Sequence, residues 1–219
     1  MTFSNVRKLT LSAWLKKNRE AEYKKPLKLQ KFLFLYETFS KVAGDPKADF
    51  GHLKGYKNGP VFSNVWGDYT KDRAEFEIKA ENCFNKYGEM INKAIAEQCS
   101  FIVSILSESE LSALTHEMNI WKTKEKFIDK GIAQIDLDEN DFNQNDVRMI
   151  ETLSNMYPVE MANSSEVLNI DNFYFVIEKN NLSKLTEEHF DILSSLISKE
   201  ELHNPIFVDI DEDGRLIID

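Results

Sequence analysis

The chain of 219 residues carries a net charge of −10, and 42% of its residues are hydrophobic, including 15 phenylalanines. This composition supplies a sizeable core and excludes a disordered chain, while the length suits one medium domain with or without a small appendage. The two cysteines form no close-spaced motif, and the densest apolar stretches are too short to span a bilayer, so a disulfide framework, a zinc cage and a transmembrane helix are not expected.

The first forty residues predict two helices. Residues 5–19 carry apolar side chains at helical spacing, and we expect the Lys and Arg side chains of this segment to face solvent. The residues predicted to face the core are Val6, Leu9, Ala13 and Trp14. A second helix is predicted to begin at Pro26 and to stop at Gly44, because proline suits the first turn and glycine the residue after the last. Its middle is apolar nearly all round, which places it at the centre of a helical bundle.

Residues 56–66 read YKNGPVFSNVW and combine a turn with a helix start. Asn58 and Gly59 both tolerate positive φ, which is typical of a turn. Pro60 has its φ fixed near the helical value, so we predict that a helix begins there. The apolar residues that follow at helical spacing are Val61, Val65 and Tyr69. Before the turn, residues 50–57 predict a short extended segment.

Further helices are predicted up to residue 157. Residues 88–106 carry isoleucines near one face and predict a long helix. Ser107 and Glu110 have the spacing of a capping box, which predicts a helix over LSALTHEM. Two more helices are predicted over residues 120–131 and 144–157, and the second ends just before a proline.

The last sixty residues differ from the helical part in composition and pattern. NFYFVIEKN (172–180) is rich in aromatic and β-branched residues and predicts a strand. TEEHFDILSSLI predicts a helix capped by Thr186. PIFVDIDEDGRLIID (205–219) predicts two strands joined by an Asp-Gly turn. The expected unit is β-α-β-β.

These segments predict a mainly α fold in two parts. A helical bundle is expected over residues 1–158, and a small α+β extension over residues 159–219. The polar stretch around residues 160–166 is expected to separate them. The first twenty residues lack the apolar run and the cleavage site of a secretory signal, so the sequence predicts a cytoplasmic protein.

One segment resembles a calcium loop. Asp209, Asp211 and Asp213 match the first, third and fifth positions of an EF-hand loop, and a glycine follows at the sixth. The flanks look like strands, however, and the bidentate twelfth position falls one residue after Asp219. We therefore favour a β-hairpin with an acidic tip and expect no metal or other cofactor.

The sequence offers little support for an enzyme. It contains no nucleophile elbow, zinc-protease motif, Walker A loop or dinucleotide fingerprint. His116 could act as a general base, but no motif places a nucleophile beside it. A hydrogen-bonded structural histidine is the favoured interpretation, and a hydrolase that uses His116 is the weakest functional hypothesis.

Charge is spread unevenly along the chain. Residues 1–60 hold 13 Lys and Arg against 5 Asp and Glu, whereas residues 136–219 hold 20 Asp and Glu against 5 Lys and Arg. The basic part raises the hypothesis of a nucleic-acid-binding regulator, but the acidic remainder would oppose binding to phosphates. An acidic surface suits a basic protein partner better, and plain solubility explains it as well.

Three stretches, taken in order, resemble the Panacea domain, also called the SocA-like or GepA-like phage-associated domain. PLKLQKFLFLYE (26–37) is similar to its opening helix, YKNGPVFSNVW (56–66) to its Gly-Pro-Val segment, and ELSALTHEMNIW (110–121) to its closing motif. The motif positions are Leu29, Gln30, Lys31, Tyr36, Gly59, Pro60, Val61, Thr115, His116 and Trp121. Phe34 and Leu35 depart from the family pattern, in which tyrosine is common, and the segment from about residue 159 lies outside the resemblance.

The resemblance implies the antitoxin half of a toxin–antitoxin pair. Members of this family bind and neutralise unrelated toxins directly, and some SocA-like members deliver the toxin to a protease. The family signature marks no residue as catalytic, so most of the motif is expected to set the fold. We expect Gly59 and Pro60 to fix the angle between the following helix and the central helix, which would pre-shape a surface for a partner.

Overall fold

The computed structural model describes residues 2–198 and 202–219, and over these ranges the protein is mainly helical with two small sheets. The helices are α1 (Val6–Asn18), α2 (Glu20–Tyr23), α3 (Pro26–Val42), α4 (Ser63–Lys71), α5 (Arg73–Tyr87), α6 (Lys93–Ile105), α7 (Glu108–His116), α8 (Asn119–Lys122), α9 (Glu125–Asp129), α10 (Gln144–Met156), α11 (Val159–Ser164), α12 (Lys179–Leu182) and α13 (Glu187–Ile197). The strands are β1 (Leu53–Tyr56), β2 (Gly59–Phe62), β3 (Ile135–Asp136), β4 (Ser165–Ile170), β5 (Phe173–Glu178), β6 (Ile206–Ile210) and β7 (Leu216–Ile218). Among the helices described, none has the length and apolar character needed to cross a bilayer.

Helix α3 is the centre of the fold, as its apolar middle predicts. Every residue from Lys28 to Ser40 is buried, and α1, α6, α7 and α10 all pack against this helix. Pro26 occupies its first turn, where a missing N–H costs nothing. At the other end Gly44 adopts a φ of 78°, and its N–H donates to the Lys41 carbonyl over 3.0 Å. This glycine therefore closes the helix where the sequence predicts.

The buried face of α1 differs from the prediction. Val6, which was expected in the core, is 46% exposed, whereas Lys8, which was expected outside, is fully buried. The reason is Glu37 in the middle of α3. Its carboxylate accepts from Lys8 Nζ over 2.6 Å and from Arg7 Nε over 2.9 Å, and Lys8 Nζ also donates to the Asp49 carbonyl over 2.7 Å. A buried acid attracts its partners inward, which hydrophobic periodicity cannot show.

The helix predicted to begin at Pro60 is wrong at its start. Residues 59–62 form β2, which pairs antiparallel with β1, and helix α4 begins only at Ser63. Pro60 is tolerated because β2 is the edge strand of the β2-β1-β3 sheet, where a missing N–H is least harmful. Two residues after Pro60 on the same strand, the N–H of Phe62 donates to Gln30 Oε1 over 2.8 Å. Gln30 thus ties the strand to α3.

The middle of the chain follows the prediction only in part. Ser107 and Glu110 form the predicted capping box, with the Ser107 N–H donating to Glu110 Oε2 over 2.7 Å. The long helix predicted over 88–106 is divided into a single 3-10 turn and α6. The helix predicted over 120–131 is likewise divided, into the short helices α8 and α9. Helix α5 was not predicted, because only Phe76 and Ala80 of this largely polar helix are buried.

The C-terminal extension contains one more strand than expected. Its sheet has the order β4-β5-β6-β7, and the predicted β-α-β-β unit is preceded by β4, which pairs antiparallel with β5. Strands β5 and β6 are parallel and are connected through α12 and α13. The cap at Thr186 and the hairpin of β6 and β7 are confirmed.

The polar stretch that was expected to separate the two parts is largely helical. Residues 159–164 form α11, which packs on α6 and buries Ala162. The extension also touches the helical part through side chains. Lys28 Nζ lies 3.4 Å from the Tyr174 hydroxyl, and Asn204 Nδ2 donates to Glu110 Oε2 over 3.0 Å.

We predict that Glu37→Gln destabilises the protein by about 3 kcal/mol, because it leaves the buried ammonium of Lys8 without its closest carboxylate. Glu20→Gln is the matched control. Glu20 pairs with Lys24 at the surface, where both side chains are 61% exposed, so little or no change in stability is expected. Urea unfolding measures both. Equal effects of the two substitutions would contradict a central role for the buried pair.

Candidate functional site

Most of the motif residues meet around the turn between β1 and β2. Residues from α3, β2, α7 and α8 converge there. They are Gln30, Lys31, Gly59, Pro60, Val61, Thr115, His116 and Trp121. Two motif residues lie elsewhere. Leu29 is buried in the core of α3, and the Tyr36 hydroxyl accepts from the Asn92 N–H over 3.0 Å.

Lys31 is the central residue of this cluster. Its side chain is completely buried, and Nζ donates to the Asn58 carbonyl over 2.6 Å and to Thr115 Oγ1 over 2.7 Å. No carboxylate of the described residues forms an ion pair with it. Because burial disfavours the charged form, the pKa of Lys31 is lowered to about 7. The amine therefore changes its charge near neutral pH.

Gly59 makes room for this ammonium group. Its φ of 99° lies in the region that favours glycine, and a Cβ at this position would lie 2.2 Å from Lys31 Nζ and 2.6 Å from Thr115 Oγ1. Gly59 and Pro60 were expected to start a helix, but the structure gives them a different role. The glycine lets the backbone approach the lysine, and the proline follows in the edge strand.

His116 and Trp121 form the outer side of the cluster. Their rings stack with centroids 3.8 Å apart and planes 13° apart, and Trp121 Nε1 donates to the Tyr56 carbonyl over 3.1 Å. His116 Nε2 is buried without a hydrogen-bond partner among the residues described. Burial lowers the pKa of His116, and the nearby Lys31 lowers it further. The imidazole is therefore neutral at pH 7 and serves as a packing surface.

The pair of Lys31 and Thr115 has the separation of a hydroxyl–lysine catalytic dyad. Its surroundings argue against that chemistry. Thr115 is completely buried, and its hydroxyl lies 3.0 Å from the Leu111 carbonyl, to which it donates. A substrate carbonyl could not reach the oxygen without unpacking α7. We interpret the pair as a structural hydrogen bond.

A cleft of about 380 Å³ opens beside the cluster. It is lined by Leu27, Gln30, Lys31, Tyr56, Lys57, Asn58, Val61, Trp66 and Ala133. Its walls are mostly apolar, and Trp66 is 38% exposed. The resemblance pointed to this region through residues 56–66. Leu27 and Ala133 could not be assigned to the cleft from the sequence, because neither position carries a signal.

A larger groove of about 470 Å³ lies beside Thr2, His52 and Glu75 and contains none of the motif residues. The cleft beside Lys31 is therefore the better candidate site.

Two carboxylates of the acidic segment near the C-terminus accept hydrogen bonds from neighbouring groups of the extension. Asp211 Oδ1 accepts from the N–H groups of Asp213 and Arg215 over 2.9 and 2.8 Å, and Asp209 Oδ1 accepts from Asn181 Nδ2 over 2.6 Å. Within residues 2–198 and 202–219, no three His, Cys, Asp or Glu side chains are grouped to hold a metal ion. Asp211 thus bonds within the hairpin, and Asp209 bonds to α12.

In comparisons with known proteins, no family model, no curated protein and no solved structure matches the chain.

We predict that Gly59→Ala lowers the free energy of unfolding by about 3 kcal/mol. The left-handed backbone accounts for about 1 kcal/mol of this, and the rest comes from displacing the Lys31 ammonium from its hydrogen bonds. Gly131→Ala is the matched control, because Gly131 has a similar φ of 95° but no atom within 4 Å of the added Cβ. Denaturant unfolding of the two variants separates backbone strain from the close contact. A loss as small as that of the control would show that the contact is unimportant.

We predict that Lys31→Met changes the pH dependence of stability. Between pH 7 and pH 10 the unfolded chain holds a proton on Lys31 that the folded protein lacks, so the wild type gains stability with rising pH. Relative to the variant, the gain is about 4 kcal/mol over this range. Urea unfolding at several pH values measures it, and Lys24→Met controls for the loss of a surface charge. A stability difference that does not vary with pH would contradict the assignment.

Proposed function

We propose that the protein is the antitoxin of a toxin–antitoxin pair and neutralises its toxin by direct protein–protein binding in the cytoplasm. The observation that supports this most strongly is the cleft beside Lys31. It offers an exposed tryptophan and apolar walls on a frame tied together by buried hydrogen bonds. Such a surface is suited to a polypeptide partner, since exposed aromatic residues in a pocket are frequent hot spots of protein interfaces.

The frame around the cleft is preorganised. Lys31 connects α3 to the β1–β2 turn and to α7, Gln30 connects α3 to β2, and Trp121 connects α8 to β1. A surface held in this way loses little conformational entropy when a partner binds. This is the physical role that we assign to the Panacea-like motif.

We further propose that neutralisation needs no catalysis by this chain. Thr115 is sealed from solvent, and His116 is stacked on Trp121 with its Nε2 buried. Delivery of the toxin to a protease is a second mode of the same binding function. The two modes differ in the fate of the toxin, which persists in a complex in the first and disappears in the second.

A nucleic-acid-binding role is less well supported. Many of the cations among the first sixty residues are engaged within the fold. Those in ion pairs are Arg7, Lys8, Lys16, Lys24, Lys28, Lys41 and Lys54. Lys31 is buried as well, so the basic excess of the sequence yields a much smaller basic surface. Duplex DNA binding across a salt series tests this alternative, because phosphate contacts give a steep salt dependence.

We predict that co-expression with the product of the adjacent gene restores growth and that the two proteins co-purify. Trp66→Ser should weaken the complex at least about tenfold, because it removes the exposed aromatic of the cleft. Ile78→Ser is the matched control, since Ile78 on α5 is 63% exposed and does not line the cleft.

Growth rescue and pull-down together decide the proposal. Rescue without any complex, at an unchanged toxin level, would contradict it. Loss of the toxin that depends on a protease would assign the adaptor mode. Equal weakening by both substitutions would move the interface away from the cleft.

A further inference from the structure

The polar groups that line the cleft present hydrogen-bond donors. Gln30 uses its amide oxygen to accept from the Phe62 N–H over 2.8 Å, and its amide nitrogen has no acceptor among the residues described. Lys57 is exposed at the turn, and in the described part of the chain no acid pairs with it. The Asn58 carbonyl is already occupied by Lys31 and Ser112. The Gln30 amide nitrogen and the Lys57 ammonium are therefore donors without an acceptor in the described part of the chain.

The charges of the residues around the cleft also favour an acceptor, and specifically an anionic one. Although the whole chain has a net charge of −10, none of the described residues that line the cleft is an aspartate or a glutamate, and two are lysines. Lys31 lies in the wall behind the cleft without a carboxylate partner, in surroundings that burial has made poorly polarisable. Burying a cation without a partner costs free energy. A nearby anion would offset part of that cost, because the attraction between the two charges is stronger inside the protein than in water.

We propose that the cleft binds a carboxylate side chain of a partner polypeptide together with an apolar neighbour of that side chain. The aspartate or glutamate lies at the end formed by Gln30 and Lys57, with Lys31 as the second positive group behind it. The apolar neighbour packs against Leu27, Val61 and Trp66. This inference rests on the proposed function for the identity of the partner, which would be the toxin.

The volume and the walls favour this occupant over other anions. A cleft of about 380 Å³ holds one or two side chains. A nucleic acid would place its polar backbone against the apolar walls of the cleft, which is unfavourable. An aliphatic or aromatic side chain packs favourably against the same walls. A polypeptide that presents an acid beside an apolar residue satisfies both the donors and the walls.

Binding of a carboxylate should be coupled to uptake of a proton. The pKa of Lys31 is about 7, and an anion near it favours the charged form. The groups that face Lys31 are Asn58 and Gly59 from the turn and Thr115 and His116 from α7. Only His116 among these titrates, and its lowered pKa keeps it neutral above pH 7. Lys31 therefore dominates the pH dependence at neutral pH and above.

The test uses the full chain with phenylacetate as the probe, because this molecule joins one carboxylate to one apolar group. We expect phenylacetate to shift the backbone amide resonances of Asn58 and Gly59 and the indole resonance of Trp66 in an NMR titration. Phenylacetamide, which has the same shape without the charge, should bind at least about tenfold more weakly. The affinity for phenylacetate should fall several-fold between pH 7 and pH 9.

Two variants locate the site. Lys57→Gln should weaken phenylacetate binding about tenfold. Lys54→Gln is the matched control on the same hairpin, since Lys54 pairs with Asp136 and does not line the cleft. Unchanged binding in Lys57→Gln, or equal binding of phenylacetamide, would overturn the inference. Equally tight binding of inorganic phosphate would do so too, since it would show a general anion site.

The outcome also separates this inference from the proposed function. Failure of phenylacetate to bind, with toxin neutralisation intact, overturns the carboxylate site alone. Binding of phenylacetate without any toxin complex overturns the antitoxin proposal alone. Self-association of the protein that Lys57→Gln abolishes would assign the cleft to an acidic segment of a second copy and would overturn the heterologous partner.

Discussion

The fold around the cleft depends on one buried amine. Lys31 Nζ donates to a backbone carbonyl of the β1–β2 turn and to the hydroxyl of Thr115, and so joins the central helix to a hairpin and to a second helix. A lysine ammonium has three N–H donors and a charge whose burial costs free energy. It is stable in the protein interior only where neighbouring groups accept its hydrogen bonds. Gly59 gives the clearest sign of that arrangement, because any side chain there would occupy the position of the ammonium group.

The same amine relates the structure to the proposed function. Its hydrogen bonds fix the turn that forms one wall of the cleft, and its uncompensated charge makes the cleft attractive to an acid. The lysine therefore contributes both shape and electrostatics at one place. The other buried lysines among the described residues have carboxylate partners. Lys8 pairs with Glu37 and Lys28 with Glu22. This contrast is why we assign a binding role to the surroundings of Lys31 and a structural role to the other two pairs.

The sequence predicted the architecture better than the site. The central helix followed from an apolar segment between Pro26 and Gly44, and the capping box of Ser107 and Glu110 was visible from spacing. The strand at residues 59–62 was missed because Pro60 suits a helix start and an edge strand equally well, and only the pairing partner decides between them. The burial of Lys31 could not be foreseen either, since it depends on an oxygen of Thr115 more than eighty residues away. Local patterns report local structure, whereas the cleft is formed by elements that are distant along the chain.

Hydrogen–deuterium exchange of the free protein and of its complex with the proposed toxin shows whether the cleft is preorganised and whether it is the binding site. We expect the amides of the β1–β2 hairpin to be protected already in the free protein, because the hairpin is held by Lys31, Gln30 and Trp121. Complex formation should then add protection to this hairpin and to the start of α4, where Trp66 lies. Rapid exchange of the hairpin in the free protein, or new protection confined to the C-terminal sheet, would contradict a preorganised cleft as the binding site.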